Sequence, residues 1–119
     1  MMKSTKPKKQ RKAIYNAPLH KKQKLIHAHL SKEFIKQFKK RSLGLRKGDE
    51  IKIMKGAFRG KTGKIMKIDL KKSKIYIDGI KIKKTTGEDA NVPFNASNLM
   101  ITNPIMDDPM RKKIVQRVK

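Results

Sequence analysis

The sequence predicts a mainly β fold: a small antiparallel barrel, preceded by short N-terminal helices and a basic extended arm, and followed by a helical tail. Three observations predict it. Past Gly48 the apolar period changes from helical to two. Four or five short strands then follow within about 55 residues, separated by tight turns. Charge is concentrated ahead of that stretch: residues 1–48 hold 16 Lys and Arg against Glu33 alone, whereas 49–119 hold 17 against 8 acids. The predicted division is a basic extended arm at 1–16, a helical extension at 17–43, the barrel at 44–103 and a basic tail at 104–119.

The arm comes first. Lys3 to Lys12 contains no apolar residue beyond Pro7, so it cannot bury enough surface to offset its ordering entropy. Pro18 suits the first turn of a helix, where its missing N–H costs nothing, and a short helix is predicted from about Pro18 to Ala28. Ser31 has the chemistry of an N-cap, with Glu33 in the first turn where the helix dipole favours an acid. Phe34, Ile35 and Phe38 form one apolar stripe, so a second helix is predicted from about Lys32 to Lys40, with both rings facing a core.

The strands follow. Asp49 to Met54 alternates as a half-buried strand does. Lys55 to Gly63 is a loop with three glycines. Lys64 to Leu70 is a second strand, and the spacing of Ile65 and Ile68 predicts a bulge between them. Ile75–Asp78 and Ile80–Lys83 are two strands kinked at Gly79; Thr85 to Ala90 is a loop; Asn98 to Thr102 is the last strand. In the tail, Asp107-Asp108-Pro109 reads as the start of a short helix.

Composition limits what such a fold can do. A formal charge of +24 on 119 residues calls for a polyanionic partner, and nucleic acid fits best. An anionic membrane fits less well, because a surface-binding helix wants Trp or Phe on its apolar face and the chain has no Trp. The absence of Cys excludes disulfides, thiolate metal sites and a cysteine nucleophile. No apolar run exceeds three residues, so neither a signal peptide nor a membrane span is predicted and a cytoplasmic protein is expected. His20, His27 and His29 lack acidic neighbours and are read as phosphate- or solvent-facing, with no metal or other cofactor expected. No nucleophile–base pair emerges, so an enzyme with a small-molecule substrate is not expected.

The segment from Gly48 to Ile65 carries the most information. Gly56, Gly60 and Gly63 punctuate a strand–loop–strand, where glycine permits positive φ and lets backbone amides approach a ligand. Arg59, Lys61 and Lys64 add charge for phosphates, and Phe58 offers a ring for an unpaired base. A strand, not a helix, follows the loop, which excludes a P-loop and a dinucleotide fingerprint.

This segment resembles a KOW motif, found in ribosomal proteins and in transcription elongation factors of the NusG type. The flanks extend the resemblance. Pro7 to Lys12, Tyr15 to His20, Leu30 to Glu33, Arg46 to Asp49, Ser97 to Ile101 and Arg111 to Ile114 are similar, in order, to the large-subunit ribosomal protein L-twenty-four family of archaeal and eukaryotic type. The resemblance implies an SH3-like KOW barrel. It also implies a non-enzymatic protein that binds large-subunit rRNA directly, acts early in subunit assembly, lies near the peptide exit tunnel and touches neighbouring ribosomal proteins. One departure is visible: Asn95-Ala96 stands where the family usually has His-Pro.

Charge and resemblance together assign RNA contacts to Lys8, Lys9, Arg11, Lys12, Tyr15 and Asn16 of the arm. They add His20, Lys21, Lys22 and Lys24 of the first helix, then Arg41, Arg46 and Lys47. Lys55, Gly56, Phe58, Arg59, Gly60, Lys61 and Lys64 follow from the glycine loop, and Ser97 and Asn98 from the last turn. Two rivals remain at this stage. A KOW transcription factor would normally carry a second domain, for which 119 residues leave no room. A basic architectural DNA-binding protein would fit the charge.

Overall fold

The structure, a computed structural model, describes residues 3–117. Its core is built by strands that alternate inward and outward. In β3 (Glu50–Ile53), Ile51 and Ile53 point in; in β7 (Leu99–Asn103), Leu99 and Ile101 do. β4 (Thr62–Asp69) contributes Ile65, and β5 (Lys74–Lys83) contributes Ile75, Ile77 and Ile80. Each such fully buried Ile or Leu contributes about 1.5–3 kcal/mol relative to exposure.

These strands belong to one seven-stranded sheet in the order β2-β1-β7-β3-β4-β5-β6, with β1 at His27–Leu30, β2 at Ser42–Gly44 and β6 at Asp89–Phe94. All neighbours are antiparallel except β1 and β7, which run parallel through His29↔Met100 and Leu30↔Ile101. The sheet is therefore mixed rather than purely antiparallel. It is also open: β2 and β6 are its edges, with no ladder joining them among the described residues.

Several predicted elements stand. The bulge falls where the isoleucine spacing put it, as a register shift between Ile65 and Lys67. The two strands flanking Gly79 are one strand, kinked there by a φ of 82° and a register shift between Tyr76 and Lys81. Beyond the kink, residues 81–89 are all exposed, so the β5–β6 hairpin projects from the body. The helix α3 (Lys32–Phe38) has Glu33 in its first turn, and Phe34 and Phe38 pack together at 5.3 Å against the core. Ser31 takes the N-cap position, although its side chain makes no capping bond.

Other predictions need correction. The helix expected from Pro18 to Ala28 is shorter: α2 spans Leu19–Leu25, and His27–Leu30 is the strand β1. Ala28 and Leu30 are buried while His27 and His29 are exposed, a period of two that is too short to stand out in sequence. β2 was not foreseen, and β6 begins at Asp89, inside the stretch Thr85 to Ala90 expected as a loop. β6 contains Pro93, tolerated because β6 is an edge strand. Gly63 lies in β4 rather than in the loop.

The arm is not extended. Residues Pro7–Asn16 form a helix, α1, with proline at its start and good helix formers behind it. None of its residues is buried. α1 and the projecting hairpin fit the radius of gyration of 15.8 Å, larger than the roughly 13.5 Å of a compact domain this long.

Candidate nucleic-acid interface

The predicted contact residues fall into two neighbourhoods. The first is the glycine loop between β3 and β4. Gly56 and Gly60 have φ of 99° and 88°, conformations that a side chain would strain. A Cβ at either would meet open space, so φ alone demands glycine there. Gly63 is different: its Cβ would sit 2.6 Å from Ile77 Cγ2 and 3.2 Å from the Asp78 carbonyl, so it is glycine because β5 crosses close by.

Three of the loop's amides are engaged within the segment itself. The Arg59 amide donates to the Gly56 carbonyl, Gly60 to Ile53 and Lys61 to Phe58, at 3.2, 2.8 and 3.1 Å. These bonds hold the loop in shape and leave its side chains to meet a ligand. Lys55, Arg59, Lys61 and Lys64 are exposed. Phe58 is not a free stacking platform. It packs edge-on to Phe94 at 6.0 Å, against the core, and the Lys61 ammonium lies 5.0 Å from its ring centroid. The turn bearing Ser97 and Asn98 joins this group, because the Met54 amide donates to the Asn98 carbonyl at 2.8 Å. That turn is a short 3-10 helix, Ala96–Asn98, leading directly into β7.

The second neighbourhood joins the helices to the β4–β5 turn. Lys22 is placed inside rather than on the surface. It is 9 % exposed, its ammonium donates to the Lys71 carbonyl at 3.3 Å, and it lies 6.0 Å from the Tyr15 ring centroid. Around it Lys8, Lys9, Arg11, Lys12, Asn16, His20, Lys21 and Lys24 are exposed, and Tyr15 is 82 % exposed.

Apart from these two neighbourhoods, Arg46 pairs with Asp108, whose carboxylate also caps the helix α4 (Pro109–Gln116) by accepting from the Met110 amide at 3.0 Å. Arg41 and Lys47 are exposed. Of the 14 Lys and Arg assigned to RNA by sequence, all but Lys22 thus reach solvent. Flexible, exposed cations of this kind neutralise phosphates one by one without reading sequence.

Sequence reasoning missed the most buried polar feature. Arg111, expected as part of a basic tail, is 1 % exposed and bidentate to Asp49, at 2.7 Å from Nη1 to Oδ1 and 2.5 Å from Nη2 to Oδ2. It also donates to the carbonyls of Ile105 and Gly44. Asp49 in turn accepts from the amides of Arg46 and Ile105. Helical spacing was the available signal: Arg111 and Val115 share the buried face of α4.

The histidines do not converge. Among the described residues no group of three or more His, Cys, Asp or Glu is placed to hold a metal. Partial burial of the His27 imidazole lowers its pKa below 6.5. No helix among the described residues is long and apolar enough to cross a membrane.

Fold and surface define a small, mainly β, strongly cationic protein: a seven-stranded sheet with a glycine loop and exposed basic helices. Its family is a ribosomal one: the profile of ribosomal proteins L26 of eukaryotes and L24 of archaea matches residues 4–118, and the chain belongs to that family. It is similar to the large ribosomal subunit protein uL24 of Methanothrix thermoacetophila, with 43% identity over 116 residues, covering 98% of this chain and 100% of that protein.

Proposed function

We propose that this chain is a structural constituent of the large ribosomal subunit that binds rRNA directly, joins the subunit early in its assembly and lies near the peptide exit tunnel. The match to a ribosomal family over residues 4–118 carries the reading. The exposed cations of the glycine loop and the helices support it physically, since a charge of +24 needs a polyanion around it. The role is scaffolding in the cytoplasmic ribosome, without catalysis, cofactor or membrane, and with neighbouring ribosomal proteins as further partners. Folded RNA is read by shape and backbone more than by sequence.

The same reading includes an SH3-like KOW barrel. It is supported by the antiparallel run β3-β4-β5-β6, by β7 returning to pair with β3, and by the 3-10 turn immediately ahead of β7. The barrel occupies 44–103, behind the basic segment 1–16 and the extension 17–43, and ahead of the tail 104–119. The extension lends β1 and β2 to the barrel's own sheet.

The test is the position of the tagged protein on a sucrose gradient, before and after a high-salt wash. It should run with the large subunit and be released only at high salt. Migration with the nucleoid instead would favour an architectural DNA-binding protein.

A further inference from the structure

We propose that the groove between α1 and the β4–β5 turn captures an unpaired RNA nucleotide, its base stacked on the two tyrosines and its phosphates on the surrounding cations. This rests on the rRNA-binding reading above and names the part of the RNA taken there. The groove has a volume of about 620 Å³, within the roughly 300–1,000 Å³ of sites that hold small ligands.

Its flat surfaces come from three residues. Tyr15 stands at the C-terminal end of α1, 82 % exposed. Tyr76 lines the opposite wall on β5, directly across the ladder from Pro93, which lines it too. The Lys22 ammonium, 6.0 Å from the Tyr15 centroid, is bonded to the Lys71 carbonyl and so ties that ring to the turn. A tyrosine left this exposed, yet anchored, is the kind of amphipathic surface that partners use.

Charge decides the occupant. Arg11, Lys71, Lys72 and Lys74 line the groove and no acid does. Asp69, just ahead of the turn in sequence, is engaged in accepting the Lys71 and Lys72 amides, which fixes the turn. The Lys74 ammonium donates to the Asn95 side-chain Oδ1 at 2.7 Å. Aromatic faces ringed by cations match a base with its flanking phosphates, the arrangement used for unpaired nucleotides rather than for duplex.

The chain provides its own probe. Tyr15 and Tyr76 are its only tyrosines and it has no tryptophan, so intrinsic emission reports on this groove alone. The full-length protein is titrated with an end-labelled oligouridylate of about eight nucleotides, within the usual single-strand site size, and with a paired RNA of the same length. Anisotropy follows total binding and tyrosine emission follows the groove. The single strand should quench the tyrosines as it binds, and the duplex should bind with little quenching. Tyr15→Ala should weaken single-strand binding by about tenfold and leave duplex binding and the circular dichroism unchanged. Tyr15→Phe should restore binding. Single-strand binding without quenching, or undiminished in Tyr15→Ala, overturns the groove and leaves RNA binding standing. If neither RNA raises the anisotropy, the rRNA-binding reading itself falls, and the groove with it.

Discussion

The Asp49 and Arg111 side chains, 62 positions apart, form a bidentate ion pair that is 0 % and 1 % exposed. Because Arg111 also bonds the Gly44 and Ile105 carbonyls, this one guanidinium clasps α4 and the end of β2 to the start of β3. A surface arginine would do none of this.

Arg111→Ala strands a buried carboxylate, and the expected loss of stability is about 3–5 kcal/mol. Arg111→Lys should rescue little, because an ammonium cannot meet two carboxylate oxygens and two carbonyls in a planar fork. Urea unfolding of the three proteins measures this. A wild-type midpoint for Arg111→Ala would show that the pair does not hold the tail.

The glycines of the β3–β4 segment should fail for different reasons. Gly60→Val is expected to cost about 1–3 kcal/mol through its positive φ. Gly63→Ala is expected to cost about 1–3 kcal/mol through crowding against Ile77 and the Asp78 carbonyl. Arg59→Ala should leave thermal unfolding unchanged and weaken rRNA-fragment binding modestly, as one phosphate contact among many. If Gly60→Val matched wild type in both assays while Arg59→Ala was severely impaired, the loop would be only a charged turn.

His27 supplies a pH dependence. Burial lowers its folded pKa below the 6.5 of an exposed imidazole, so the unfolded chain takes up the proton first. Its contribution is therefore fully present above pH 6.5 and is lost as pH falls toward the folded pKa. Wild type should lose stability relative to His27→Gln between pH 7.5 and the lower pH range, and the difference should level off once both states are protonated. Parallel stability curves for the two proteins would contradict the assignment.

Much of this fold was legible where one residue constrains the chain locally. The Ile65–Ile68 spacing located the bulge, Gly79 located the kink and Asp108-Pro109 located the start of α4. What escaped was held by partners distant in sequence. β1 and β2 have four and three residues and exist because β7 and each other supply their ladders. The lack of apolar residues in the arm predicts an extended chain, but low apolar content excludes burial, not the exposed helix that Pro7–Asn16 forms. In the site, exposed cations were foreseeable from charge. The inward turn of Lys22 and Arg111 and the packing of Phe58 depend on neighbours that only the fold assembles.

The most direct test of the central claim is the salt dependence of binding between the full-length protein and deproteinised large-subunit rRNA. If exposed Lys and Arg neutralise phosphates as described, six or more contacts should lower the affinity by about 10³ or more between 50 and 200 mM salt, on the scale set by DNA. An affinity that barely changes over that range would contradict an interface made of these cations.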